Sequence, residues 1–405
     1  MTVVADKICS LLGEDGLFEM DPLGIPVATP ASDDECALLL RTASSEGWTV
    51  RIEGSGTWIP RDARADLALS TVRLRGVVDL SPPDMVVTVG SGTRWTELQT
   101  SLGNEGMWIP LDPPGSGRSV GSVVACATAG PLRTGFGAIR DHLLGLTLVT
   151  GDGRVVHAGG RVVKNVAGYD ITKLAAGSFG AFGVITSVNL RLQTIPRADA
   201  TLLALGARDQ LLDAARSILA SGYTPAAVEL FSPAAVASTE WTLAVRLVGS
   251  DESVAEERTA VGAAAGMQIT SLEPSDAAEF WRSALSRSTD APTTLRVGAL
   301  TSSLDEAMDS IAHHLDESRD DWIAANVLAG VVRWSGDTDV NRLRLLRNVT
   351  AHSKMPVTIE RGPWSVRSEL GHFGAYRDGV VRLVNALRNS FDPSRALAIP
   401  LGRES

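Results

Sequence analysis

Residues 161–186 read RVVKNVAGYDITKLAAGSFGAFGVIT, and the reading of this stretch decides how the first half of the chain is understood. Gly168, Gly177, Gly180 and Gly183 sit in an almost apolar run that also carries Lys164, Tyr169, Asp170 and Lys173. The chain has four lysines against 33 arginines, so two lysines here are a local concentration. Glycine has no Cβ and lets main chain come against a ligand or another strand. The polar insert leaves two readings open. Asp170 can cap the run that begins at Ile171 and pair with Lys173 across one turn. Lys164 and Tyr169 can instead face a cofactor or a partner surface.

The flanks are strand-like. VITSVNLRLQTIP (184–196) alternates as a long strand and is closed by Pro196. LTLVTG (146–151) and RVVHAG (154–159) surround a Gly-Asp-Gly turn at 151–153, a hairpin signal. Residues 107–147 are dense in Gly, Ala, Ser and Pro but keep spaced Val, Ile and Leu. A flexible linker would not carry those apolar residues, so the segment reads as main chain that cradles a ligand. Upstream, Ser32 and Glu35 have capping-box spacing and predict a helix over about residues 32–46. A strand at 49–52 then runs into EGSGTWIP. Strands follow at 67–70, 77–80 and 85–92, then a helix over 93–106.

After Arg197 the glycine-rich texture ends. Two successive β-α-β-β-α passes, with dissimilar sequences, predict an α+β domain whose antiparallel sheet is covered on one face by helices. A helix is expected at 380–390.

Bulk properties narrow the class. A chain of 405 residues is too long for one core, so two or three domains are expected. With 44% hydrophobic and 21% charged residues it reads as soluble and globular. A net charge of −10 argues against nucleic acid as a partner and provides no polybasic membrane anchor. Cys9, Cys36 and Cys126 are far apart with no CxxC pair, so no metal or iron–sulfur site is expected on this chain. The N-terminal residues lack a signal-peptide pattern, and a cytoplasmic location is expected, with membrane attachment only through a partner.

Three glycine clusters mark the first half: Gly54/Gly56, Gly115–Gly137 and Gly177–Gly183. The first fails the GxGxxG pattern because Ile59 holds the last position, and no P-loop motif exists. What remains is a tight turn able to point N–H groups at an anion, or a plain turn.

The order of the clusters resembles a family: FAD-binding oxidoreductases of the vanillyl-alcohol-oxidase (PCMH) type. Within it the likeness is to the E-subunit group of bacterial glycolate oxidases. It is carried by GSGT (54–57), LDPPGSGRSVGS (111–122), FGAIRDHLLGLTLVTGDGRVVHAGGRVVKNVAGYD (136–170) and LAAGSFGAFGVIT (174–186), and is close over residues 25–197. The resemblance implies an α+β fold: a PCMH-type FAD-binding domain of two α/β subdomains over 25–197, preceded by a segment 1–24. An α+β cap domain with an antiparallel sheet follows over 198–375, and a tail, 376–405, returns to the FAD domain. It implies non-covalent FAD, since no histidine stands at 54–58. Gly54, Ser55, Gly56 and Thr57 would take the pyrophosphate, and Ser119, Val120, Gly121 and Ser122 the pyrophosphate and ribityl chain. Gly130 and Gly137 would approach the flavin, and Gly183, Val184 and Ile185 the adenine end. Pro114 and Asp141 complete the implied cofactor set. Departures from the family pattern include Ala127 in place of an asparagine and Phe179 in place of an acid.

A flavin enzyme acting on 2-hydroxy acids needs a base and a cation for the carboxylate. His313 and His314, adjacent on a helical run, point about 100° apart. His372 is the best single base candidate from the second domain, with Lys164 and Tyr169 as alternatives. The resemblance implies an FAD-binding subunit of a glycolate or 2-hydroxy-acid oxidising complex, beside a catalytic flavoprotein subunit and an iron–sulfur subunit. A self-sufficient FAD-dependent 2-hydroxy-acid oxidoreductase and a scaffold that has lost flavin remain open as alternatives.

Overall fold

In a computed structural model of the chain, the structure describes residues 3–162, 170–288, 291–315, 321–373 and 378–399. Lys164 and Tyr169 lie outside the described residues. The N-terminal residues form helix α1 (Val3–Leu12), which the sequence reading did not foresee. Strands β1 (Leu17–Met20), β2 (Pro26–Ala28), β3 (Val50–Glu53) and β4 (Leu67–Ser70) form a sheet in the order β1-β2-β4-β3. The central β4 is parallel to both β2 and β3. Helix α2 (Asp33–Glu46) supplies the crossover between β2 and β3. Its start is fixed as the spacing implied: Ser32 Oγ accepts from Glu35 N, and Glu35 Oε2 accepts from Ala31 N. Gly47 stops it in a left-handed cap. Leu39, Leu40 and Ala43 of α2 pack on Val50, Leu67 and Leu69.

The second sheet is antiparallel and has the order β5-β6-β10-β8-β9. Its strands are β5 (Val77–Ser81), β6 (Val86–Gly90), β8 (Leu143–Val149), β9 (Val155–Gly159) and β10 (Val184–Arg191); a short pair joins β7 (Met107–Trp108) to β11 (Gln193–Thr194). The long alternating strand after Gly183 is thus the middle of this sheet, hydrogen-bonded to β6 and β8. Helices α3 (Trp95–Gly103) and α4 (Val120–Ala125) cover it through Leu98, Leu102, Val120, Val123 and Val124. The helix Asp378–Phe391 also packs here through Val384, Leu387 and Phe391. The chain then pairs Leu397 beside Val50 of the first sheet.

The two β-α-β-β-α passes merge into one eight-stranded antiparallel sheet. It comprises β12 (Ala198–Gly206), β13 (Ala227–Phe231), β14 (Trp241–Gly249), β15 (Thr270–Ser271), β16 (Thr293–Gly298), β17 (Trp322–Asn326), β18 (Val331–Gly336) and β19 (Val357–Arg361). The seam between the passes is β13 against β17. Alternation sends Val228, Leu230, Leu295, Val297, Val332, Trp334 and Ile359 to one face, under the helices Arg208–Ala220, Asp251–Ala265, Leu304–Leu315 and Val340–His352. Each such fully buried side chain contributes about 1.5–3 kcal/mol.

The other face is also covered, which corrects the one-faced expectation. Its β12–β14–β13–β17 part packs on the helix Pro274–Arg287 through Phe231, Trp281, Trp322 and Ala324. The same face places Glu229 of β13 and Asn326 of β17, with Arg296, Arg333 and Glu360 of the remaining strands, toward the first half of the chain. Asn326 Nδ2 donates to Pro131 O at 3.3 Å, and Arg296 Nη1 approaches Ala127 O at 3.5 Å. The period of two that builds the core therefore also builds a charged, buried inner face.

Candidate FAD site

The turn at residues 54–57 leaves the end of β3 and is stitched to the glycine-rich loop before α4. Ser55 Oγ and Thr57 Oγ1 donate to Gly117 O at 2.5 and 2.8 Å, and Ser70 Oγ donates to Gly54 O at 2.8 Å. A Cβ on Gly54 would lie 2.2 Å from Ser119 Oγ, so only glycine lets turn and helix end approach this closely. Ser119 caps α4 by accepting from Ser122 N, and Gly121 N donates to Ser91 O. These segments, with Gly183 and Ile185 at the start of β10, line one cleft holding about 1000 Å³ of open space.

Nine expected cofactor residues line this cleft: Gly54, Ser55, Gly56, Thr57, Ser119, Gly121, Ser122, Gly183 and Ile185. Six others lie off its lining, for local reasons. Val120 is fully buried beside Val123 and Val124 on the face of α4 that meets the second sheet. Val184, one step along β10 from Ile185 and Gly183, points into the core with Val149 and Leu397. Gly130 packs its α-carbon on Asp112, with a Cβ placed 2.0 Å from Asp112 O. Gly137 and Asp141 close their own turn, where Ala138 N donates to Asp141 Oδ2. Pro114 is buried elsewhere in its loop.

The structure adds lining residues that the sequence reading did not single out: Trp58, Arg61, Cys126, Arg367 and Ile399. Trp58, Cys126 and Phe179, with Ile59, Phe373 and Ile399, form an apolar end. Phe179 stacks on His372 with ring centroids 4.1 Å apart. Arg118 lies over Trp58, 4.1 Å from the ring, and is 1% exposed. Its Nη2 donates to Ser122 O and Oγ, while among the described residues neither Nη1 nor Trp58 Nε1 has a hydrogen-bond partner. Unpartnered buried donors next to a cleft fit a ligand that supplies acceptors.

His372 is the histidine candidate that does reach the cleft wall. Burial, with Arg367 and Arg347 nearby, lowers its pKa to about 4 against the favourable bond to Ile359 O. Its Nδ1 lies 2.6 Å from Ile359 O, so Nδ1 carries the hydrogen and the ring is neutral at pH 7. His313 and His314 sit edge-to-face on their helix and are not among the lining residues. At Asp170 the capping reading describes the structure: its side chain accepts from Lys173 N and pairs with Lys173 Nζ at 3.0 Å.

Glu53 precedes the turn and is buried. Arg61 Nη2 stands 2.9 Å from its Oε1 and Arg51 Nη2 3.3 Å from its Oε2. Burial pushes its pKa up despite both arginines. Ala127 and Phe179 occupy left-handed backbone at φ 46° and 54°. Neither residue type favours that region, whereas asparagine and glycine do. Ala127→Gly is expected to stabilise the chain by about 0.5–1 kcal/mol, read as a higher midpoint in denaturant at unchanged slope. An unchanged midpoint would refute the strain at this turn.

The features fit FAD. Main chain free of side chains and the Arg61 cation suit phosphates, while Trp58, Phe179 and His372 offer an aromatic end. Residues 26–159 match the family model described as an FAD binding domain. Over 130 residues, 32% of this chain and 37% of the relative, the sequence is 39% identical to glycolate oxidase subunit GlcE of Escherichia coli (strain K12). It is 35% identical over 174 residues to the mitochondrial D-lactate dehydrogenase [cytochrome] of Arabidopsis thaliana, covering 42% of this chain and 30% of that one. The matches thus span about a third of the length of these relatives. Among solved structures, an alkyldihydroxyacetonephosphate synthase superposes with a TM-score of 0.73 at 14% identity, covering 97% of this chain and 84% of that one. Residues 26–159 are thus an FAD-binding domain by family match, the fold is that of the superposed synthase, and the comparisons support FAD as the cofactor.

Proposed function

We propose that the chain is the FAD-binding subunit of a complex that oxidises glycolate or a related 2-hydroxy acid, beside a catalytic flavoprotein subunit and an iron–sulfur subunit. The observation that carries this reading is the glycine-lined cleft between α4, β3 and the cap, in a chain whose relatives are a glycolate oxidase subunit and a D-lactate dehydrogenase. Bound FAD supplies a two-electron acceptor for the α-carbon hydride of a hydroxy acid. The chain's own residues hold and shield it. The turn at 54–57 and the α4 start present main chain to the phosphates, and Trp58, Ile59 and Ile399 keep water from the apolar end. Among the described residues no helix is long and apolar enough to cross a membrane.

A second reading, a self-sufficient oxidoreductase, is favoured by His372. Its Nδ1–H is committed to Ile359 O, which leaves Nε2 as the proton-accepting atom, and burial keeps the ring unprotonated. The third reading, a scaffold without flavin, draws on Phe179, whose ring already stacks on His372 at the cleft end.

The visible spectrum of the purified full chain separates the three. The complex-subunit reading expects a yellow protein, or one that becomes yellow with added FAD, whose flavin is reduced by glycolate or D-lactate only when partners are present. Bleaching by substrate with the chain alone supports the second reading, and His372→Gln should then slow reduction by about 100-fold or more. A colourless chain that takes up no FAD refutes the first two.

A further inference from the structure

A carboxylate directly before a phosphate-binding turn would repel its ligand, and Glu53 stands directly before Gly54. Two arginines surround it, in different states. Arg51 is buried and already bound to Asp21 at 2.6 Å and to Glu53. Arg61 holds Glu53 Oε1 and meets Glu19 at 3.2 Å, yet its side chain stays 26% exposed on the cleft wall. Its guanidinium lies flat against Gly56, which has φ 68°. A Cβ on Gly56 would sit 2.3 Å from Arg61 Nε and 2.7 Å from Cζ and Nη2. Arg61 Nε is buried and has no hydrogen-bond partner among the described residues. The bare α-carbon of the turn therefore makes room for a cation as well as for a ligand.

We propose that Arg61 is a diphosphate-binding cation of the FAD cleft, set in place by Glu53 and admitted by the missing side chain of Gly56. This rests on the reading of the cleft as an FAD site. Glu53 then acts as a tether and a competitor: it orients the guanidinium, and the ligand's phosphates draw on the same charge. Arginine suits the task because its planar fork can bind a carboxylate on one edge and a phosphate on another. The site should thus select ligands that carry a diphosphate, and its affinity should fall with added salt.

The test measures binding of FAD, ADP and riboflavin to the full-length chain freed of flavin, by flavin fluorescence and by competition. Arg61→Gln should raise the Kd for FAD and ADP by about tenfold or more and that for riboflavin by less than about threefold. It should also flatten the salt dependence of FAD binding, and Arg61→Lys should recover part of the loss. Glu53→Gln should change ADP binding the other way, tightening it by about threefold or more. FAD and ADP binding to Arg61→Gln at wild-type strength, or an equal loss for riboflavin, would overturn the proposal. If Arg61→Gln does not fold, Glu53→Gln decides alone, since unchanged or weaker ADP binding is the opposite of what a competing tether requires. A wild-type chain that binds no FAD refutes the FAD reading and this inference together. Wild-type binding with an unaffected Arg61→Gln refutes this inference only.

Discussion

Gly183→Val is expected to cost the chain about 3–5 kcal/mol and its uptake of FAD with it. Gly183 enters β10 at φ 146°, in backbone that side chains disfavour, and a Cβ there would stand 2.3 Å from Val149 O and 2.9 Å from its carbonyl carbon. Those atoms belong to β8, which pairs with β10 from Val184↔Val149 onward, so they cannot swing aside as a side-chain tip would. Valine must therefore strain the backbone, separate two central strands, or both. The same residue lines the cleft, so the shift reaches the ligand directly. Thermal unfolding should move down by roughly 5–10 °C, and FAD titration should show weakened binding. A variant that melts and binds like its parent would show that the strand entry has slack that its contacts deny.

Glu360→Gln should be about equally damaging, by about 3–5 kcal/mol, for an electrostatic reason. Glu360 is fully buried on the inner face of the cap sheet, with Arg333 Nε at 3.1 Å and Arg296 Nε at 3.5 Å. Burial alone would raise its pKa; Arg333, Arg296 and Arg118 outweigh that and hold it below the usual carboxylate range. Removing the charge leaves buried guanidinium groups uncompensated. The sign with pH follows from the lowered value. The contribution is present above the unfolded pKa, near 4.5, and is lost as pH falls through the folded one. The variant should therefore show its deficit at pH 7 and a shallower acid limb. Replacing Arg333 by Met as well should restore part of the stability, because the unpaired charge goes with it. A deficit under about 1 kcal/mol at pH 7 would mean that water or other groups already balance these arginines.

Much of the first half was legible because its signals are local. The capping residues at 32 and 35, the Gly-Asp-Gly hairpin and the alternation after Gly183 each act within a few residues. The polar insert shows the same limit from the other side. Asp170 caps and pairs locally, as its spacing allowed, while the fate of Lys164 and Tyr169 lies outside the described residues. The cleft was legible only in part. Small residues mark where main chain can meet a ligand, but adjacent positions on a helix or strand diverge, so Val120 and Val184 turn into the core while Gly121 and Gly183 face the cleft.

The sequence by itself determined many of the elements, the two textures of the chain and the resemblance to FAD-binding oxidoreductases, since capping, alternation and glycine spacing are properties of neighbours along the chain. Only the tertiary structure decided the chemistry of the cleft. Arg61, Arg367, His372 and Ile399 reach it from segments up to several hundred residues apart, and Arg118 and Glu360 acquire their charge environment only when the cap sheet closes on α4. Burial and charge pairing depend on which surfaces meet, and no local pattern encodes that.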